Sequence, residues 1–343
     1  MKEFTGFKRG VNLGGWLSQC DNNDYSEEKY KSFITEADFD RIADWGLDHV
    51  RLPFDYNIIM AEDGSFIKSG FKRLDFAIQQ CERCGLNIVL DLHKALGFVF
   101  DDPNYCGFFE DERLQDHFVE LWREMSRRYG DNKRVVFELL NEVTELRFAQ
   151  KWNEIAARTI LEIRKIAKDV CIMYGGIRNN SIYGLTLLDK PVDDNVVFDF
   201  HCYSPLVFTH QKAYWAPELP PDFELEYPQP ENVILEKTRS FFGNKYDDEF
   251  DPDNTGMSDS GYFERLFEQA KAVSEKFDVP LYCGEYGVID QADPESTVRW
   301  YADINAALEK LNISRAAWTY KQKDFGLIDE HYSGVVDKLI KLL

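Results

Sequence analysis

The chain has 343 residues, enough to bury a substantial core as one large domain or two ordinary ones. An apolar share of 44% and an aromatic share of 15% exclude a disordered chain. With 40 Lys and Arg against 61 Asp and Glu, the net charge of −21 repels phosphate backbones and anionic lipid heads. Nucleic acid, membrane surfaces and strongly anionic substrates are therefore excluded as expectations, and a neutral substrate fits.

Charged residues (Lys2, Glu3, Lys8, Arg9) interrupt the N-terminal segment, which lacks the apolar stretch of a secretory signal, and no run approaches the length of a membrane span. As written the chain is expected to be cytoplasmic, or secreted if a leader has been removed. The 7 cysteines, an odd number, suit reduced thiols better than a disulfide framework. Cys81 and Cys84 form a C-x-x-C pair with no second pair to complete a zinc site, so they read as incidental.

Short β-rich runs alternate with amphipathic segments along the chain. Strand Arg9–Leu13 leads into Gly14-Gly15-Trp16. Helix Thr35–Trp45 opens on a Thr35-x-x-Asp38 capping pattern and stops at Gly46. Strand Leu47–Leu52 precedes helix Phe71–Cys84, which ends at Gly85. Strand Asn87–Asp91 and helix Glu112–Tyr129 follow, then strand Arg134–Leu139 and the long helix Phe148–Lys168. Strand Val170–Tyr174, a weak helix near Ser181–Leu188 and strand Asn195–His201 come next. Helix Tyr262–Phe277, strand Pro280–Cys283, helix Pro294–Leu311, strand Ser314–Thr319 and helix Ser333–Leu342 complete the series.

Most of these strands are apolar without alternation, as parallel strands covered on both faces are. Eight strands each followed by a helical segment predict an α/β fold, a (β/α)8 TIM barrel forming a single domain over 1–343. A doubly wound open sheet would carry a glycine-rich phosphate fingerprint after its first strand, and Asn12-Leu13-Gly14-Gly15-Trp16 lacks that spacing. The segment 204–261, rich in Pro, Asp, Glu and aromatics, is too long for a simple connection and follows a strand. It is expected to be an insertion that builds part of a substrate cleft over the active face, with a disordered acidic loop as the alternative for Asp247–Ser260.

Polar residues recur at the C-terminal ends of the strands, where a barrel enzyme carries its site: Arg51, His93, Asn141 with Glu142, His201 with Tyr203, Glu285 and Trp318. Taken with their neighbours they form Asn-Leu-Gly-Gly-Trp, Arg-Leu-Pro, Leu-Asp-Leu-His, Leu-Asn-Glu, His-x-Tyr, Gly-Glu-Tyr-Gly and Ala-Trp-Thr-Tyr-Lys. This combination, from about Gly10 to Lys321, resembles glycoside hydrolase family 5, the cellulase family. The His-Gln-Lys-Ala-x-Trp segment at 210–215 and the insertion after strand 6 are similar to the clostridial endoglucanase C type.

The resemblance implies a retaining glycosidase acting on β-1,4-glucan or mixed-linkage β-1,3-1,4-glucan, endo-acting, with Glu142 as acid/base and Glu285 as nucleophile. Retention needs one protonated and one ionised carboxyl flanking the sugar. Arg51 is expected to charge-pair with Glu285, leaving Glu142 to carry the proton. Tyr203 is placed on the nucleophile, Asn141 on the sugar 2-hydroxyl, and His93 and His201 in the same subsite. Asn12 is a further supporting residue. Trp318 is the first candidate for a sugar platform, followed by Trp16 and Trp215, while Trp45, Trp122, Trp152 and Trp300 fall on helical patterns and read as core. Close relatives often read His-His-Ala-Pro-Gly where this chain has His93-Lys94-Ala95-Leu96-Gly97, so Lys94 is expected to alter contacts near the cleft.

A β-mannanase or an exo-β-1,3-glucanase on the same scaffold is the alternative. A metal-dependent barrel hydrolase using His93, His201 and the glutamates is a weaker rival, because no His-x-His follows strand 1. The expected partner is a β-glucan chain; no metal or cofactor is expected, and the protein is expected to be a monomer.

Overall fold

A computed structural model describes residues 2–102 and 104–343. Its eight strands are β1 (Arg9–Asn12), β2 (His49–Asp55), β3 (Asn87–Lys94), β4 (Val135–Glu138), β5 (Cys171–Gly175), β6 (Val196–His201), β7 (Leu281–Glu285) and β8 (Ser314–Ala317). All pair in parallel with their chain neighbours, and β8 pairs with β1 (Arg9↔Arg315), so the sheet closes into the expected barrel. Helices Glu36–Asp44, Lys68–Cys84, Glu112–Tyr129, Ala149–Arg164, Ser260–Phe277 and Pro294–Lys310 cover it.

Local chemistry explains the boundaries. The Thr35/Asp38 capping box is formed, and Gly85 follows the Lys68–Cys84 helix at φ 74°, a left-handed position that glycine takes without cost. β2 and β3 run three residues further than expected, whereas β4 stops at Glu138. Asn141 and Glu142 consequently stand in the loop beyond β4, not in the strand.

Within the barrel, every second residue of a strand points inward. Val89, Val136, Met173, Val197, Tyr282 and Ala316 come from six strands and form one apolar cluster, closed by Phe4 and Phe7. One alternation further along, the same faces carry Asp91, Glu138 and Asp199, all buried, and on β2 the buried Arg51. The barrel therefore changes from an apolar plug to a charged layer directly beneath the cavity at its C-terminal end.

Among the helices that were not anticipated, the two longest are Glu27–Phe33 and Glu231–Phe242, the latter inside the 204–261 insertion. The alternative of a disordered loop for Asp247–Ser260 is corrected. Asp247–Glu249 form a 3-10 turn, Pro230 bridges Met257, and the Glu231 N–H donates to the Gly256 carbonyl at 2.8 Å. An acidic composition reads as a solvated chain, yet here the side chains accept from their own backbone. Asp251, Asn254 and Asp259 each receive the N–H two residues on, at 2.8–3.0 Å. Of the tryptophans read as core, Trp122, Trp152 and Trp300 are fully buried and Trp45 is half-buried against Tyr320. All seven cysteines are free thiols.

Candidate active site

A cavity of about 780 Å³ opens over the C-terminal end of the barrel, lined by His93, Asn141, Glu142, His201, Tyr203, Glu285, Trp215 and Trp318 among others. Eight of the eleven expected site residues therefore share one cavity. One oxygen of Glu142, one of Glu285 and a ring nitrogen of His201 lie within 4.8 Å of one another.

Glu285, at the end of β7, is held from two sides. Arg51 Nη1 donates to its Oε1 at 2.7 Å, and the Tyr203 hydroxyl donates to its Oε2 at 2.8 Å. Arg51 does not reach the cavity. Its remaining N–H groups donate to both oxygens of Glu138 at 2.7 Å and to the Oδ1 atoms of Asn12 and Asn141 at 2.9 Å, and Asp91 lies 3.0 Å away. Burial opposes the charge of this guanidinium, but Asp91, Glu138 and Glu285 overcome it and hold its pKa well above the ordinary value. One cation cannot satisfy three buried carboxylates. Burial therefore pushes Asp91 up to about 8 despite Arg51, and raises Glu138 as well. Burial likewise raises the Tyr203 phenol, with Glu285 and Glu142 adding to the effect, so it remains a proton donor.

Glu142 has partners of its own. His201 Nδ1 lies 2.8 Å from its Oε1, and Asn179 Nδ2 donates to its Oε2 at 3.2 Å. Its backbone sits at φ 36°, in the left-handed region that a glutamate seldom adopts, which aims the carboxyl across the cavity. Three consecutive left-handed residues after β5, Arg178, Asn179 and Asn180, turn Asn179 towards Glu142. Asparagine tolerates that conformation better than most residues.

His93 is buried and neutral: burial, opposed by the nearby carboxylates, lowers its pKa to about 4. Its Nδ1 lies 2.6 Å from Asp91 Oδ2, and its ring stacks on Trp318 with centroids 5.7 Å apart and planes 6° apart. Trp318, 7% exposed, thus presents a face fixed from behind, whereas Trp215 (42% exposed) stands beside Tyr214 at the rim of the insertion.

One expectation is corrected, and two further residues stand outside the cavity. Trp16 is 1% exposed and does not line the cavity; its indole donates to the Tyr30 carbonyl at 2.8 Å and stacks on that ring, because Gly15 turns the chain away from the barrel mouth at φ 81°. Asn12 lies beneath the cavity, where its amide ties β1 to the Gly284 and Ala316 carbonyls at 2.9 and 3.3 Å. Lys94 is outside the cavity lining; it pairs in register with Asp55, and its charge lowers the pKa of that buried carboxyl, which burial nevertheless leaves raised.

Residues missed from sequence are Asp91, Glu138, Asp199, Asn179, Asn180 and Arg178. A signal for two of them was present. Asp91-x-His93 and Asp199-x-His201 repeat the same spacing on two strands, and strand alternation puts each pair on one face. The asparagines and Arg178 fall between strand Val170–Tyr174 and the weak helix near Ser181–Leu188, in a stretch to which no element is assigned. Arg178 makes a two-pronged contact with Asp248 (2.9 and 3.1 Å) and joins the loop after β5 to the insertion.

Atoms of Glu138, Asp199 and His201 also approach within 4.8 Å of one another. Both oxygens of Glu138 already face the Arg51 guanidinium, which supplies positive charge to that cluster.

A closed parallel barrel whose cavity sets two glutamates face to face beside stacked aromatics has the architecture of a barrel glycosidase. The chain belongs to the cellulase family, glycosyl hydrolase family 5, whose match covers residues 10–324. It is 44% identical to cellodextrinase A of Ruminococcus flavefaciens over 92% of this chain and 86% of that protein. It is 37% identical to endoglucanase C of Acetivibrio thermocellus over 98% of both. Among solved structures, endoglucanase Cel5A of the hyperthermophile Thermotoga maritima superposes with a TM-score of 0.75 at 26% identity, covering 98% of this chain and 97% of that one. That enzyme has also been solved in complex with mannotriose and with cellobiose.

Proposed function

We propose that this glycosidase hydrolyses β-1,4-linked or mixed-linkage β-glucan with retention of anomeric configuration, Glu285 attacking the anomeric carbon and Glu142 serving as acid and then base. The observation that carries this reading is the carboxylate approach within 4.8 Å. Retaining enzymes hold their carboxyls about 5–5.5 Å apart, whereas inverting enzymes need about 6.5–9.5 Å to admit a water. Arg51 and Tyr203 orient the nucleophile; Asn179 and His201 orient the acid/base. Asn141 Nδ2 is buried and has no hydrogen-bond partner among the described residues, while its Oδ1 is fixed by Arg51. That donor is suited to the sugar 2-hydroxyl, a contact that strengthens towards an oxocarbenium-like transition state.

The names of the two curated relatives, a cellodextrinase and an endoglucanase, favour a β-glucan substrate, and the mannotriose complex of the Thermotoga enzyme keeps β-mannan as the second reading. Product sizing across β-glucans and β-mannan decides between them. Two variants test the roles. Glu142→Ala is expected to keep turnover of aryl glycosides with good leaving groups and to be accelerated by azide, giving a product of retained configuration. Glu285→Ala is expected to lose hydrolysis throughout, with azide giving an inverted product. The opposite pattern would exchange the two roles.

A further inference from the structure

We propose that Asp199 is a positioning residue which, through His201, sets the proton affinity of the acid/base Glu142. The inference rests on the reading of Glu142 given above and concerns a carboxylate one layer below it.

Asp199 is fully buried on β6, and among the described residues its side chain makes no ion pair with Arg or Lys. Its Oδ2 accepts from Asn180 Nδ2 at 2.8 Å and faces His201 Nε2 at 3.3 Å. The other ring nitrogen of His201 lies 2.8 Å from Glu142 Oε1 and 3.6 Å from Glu285 Oε2. The imidazole therefore stands between a buried carboxylate and both glutamates of the cavity, with its Nε2 close to Asp199 but not hydrogen-bonded among the described residues.

Two glycines make room for this arrangement. A Cβ at Gly284 would lie 2.5 Å from Asp199 Oδ1, and a Cβ at Gly175 would lie 2.4 Å from the Asn180 side chain. Gly284, the first glycine of the Gly-Glu-Tyr-Gly motif, is thus required by the carboxylate behind the nucleophile.

The charges facing His201 come from every side of the barrel. Asp199 lies on its own strand, Glu138 on β4 and Glu142 in the loop beyond it, Glu285 at the end of β7, and Asp91 on β3; Arg51 on β2 faces Glu138 and Glu285. Burial disfavours a charged imidazole, but Glu285 and Asp199 outweigh it and hold His201 well above the ordinary histidine range. A charged His201 has an N–H on each nitrogen, one for Asp199 and one for Glu142. Without the Asp199 charge, the imidazole loses one of the two carboxylates that keep it charged, and the N–H it offers Glu142 becomes a weaker donor.

The test is Asp199→Asn, read by the pH dependence of kcat/KM and by nitrogen NMR of histidine-labelled protein, with His201 assigned by the loss of its signals in His201→Gln. In the unmodified enzyme the His201 ring is expected to be charged at pH 7. In Asp199→Asn it is expected to be neutral at pH 7, with the alkaline limb of kcat/KM moved up by about one pH unit. Asn180→Gly, which removes the donor to Asp199 and tolerates the left-handed backbone there, is expected to move both in the same direction by less, and serves if Asp199→Asn does not fold. A neutral His201 in the unmodified enzyme, or variant profiles that fall in height without moving along the pH axis, would overturn the proposal. The NMR result does not depend on the role of Glu142, so it separates failure here from failure of the acid/base assignment.

Discussion

At the scale of single residues, aromatic rings and one histidine divide between the cavity and its foundations. Trp318 and, after it, Trp16 are both sequence candidates for a sugar platform, yet Trp16 is packed against Tyr30 and Trp318 stacks on His93 in the cavity wall. Trp318→Ala is therefore expected to raise KM and lower kcat/KM at least tenfold, about 1.4 kcal/mol. Trp16→Phe should leave steady-state kinetics unchanged while lowering the urea midpoint. Equal kinetic effects would return Trp16 to the cavity. His93 makes a pH prediction with a definite sign. Its folded pKa of about 4 lies below the ordinary 6.5, so the fold holds the neutral ring. The stability this contributes is complete above about pH 6.5 and is lost as the pH falls towards 4, up to about 3 kcal/mol. Asp91, pushed up to about 8, acts in the opposite sense over the same range. Urea unfolding at pH 7 and pH 4.5 should accordingly show a smaller acid loss in His93→Gln than in the unmodified protein; an identical loss would remove His93 as the cause.

At the scale of elements, strand alternation carries the site and one glycine carries a helix contact. The charged layer of Arg51, Asp91, Glu138 and Asp199 follows from inward positions on four strands, and only β2 had been credited with one. These strands looked uniformly buried, so their two faces were not separated in the reading; the carboxylates were present but their direction was not. Conversely, the long helices and their stops at Gly46 and Gly85 were legible because capping and glycine chemistry are local. The helix Lys68–Cys84 begins against the end of the segment after β2. There a Cβ at Gly70 would lie 1.7 Å from the Ile58 carbonyl oxygen, a backbone atom with little freedom to yield. Gly70→Ala is expected to destabilise the fold by roughly 2–3 kcal/mol although alanine is the better helix former. A midpoint equal to that of the unmodified protein in urea would show that the helix can shift without cost.

At the scale of the whole molecule, charge and topology play different parts. The net charge of −21 is distributed over a protein whose proposed substrate is neutral. The on-rate should then owe nothing to electrostatic steering, and kcat/KM on a neutral cello-oligosaccharide is expected to change less than twofold between about 0.05 and 0.5 M NaCl. A steep salt dependence would point to a charged substrate.

What the amino-acid sequence determined by itself was whatever depends on neighbours along the chain. That includes the alternation of strand and helix, the helix caps, and the two glutamates recognisable by the residues beside them. Closure of the barrel determined the rest. It brought Glu142 and Glu285 within 4.8 Å across 143 residues of chain, put Arg51 between three carboxylates, and set Asp199 behind His201. It also turned Trp16 away from the cavity. The physical reason is directional: spacing along a strand says that two residues share a face, but which face looks into the barrel, and what waits there from the opposite strands, exists only once eight strands have closed.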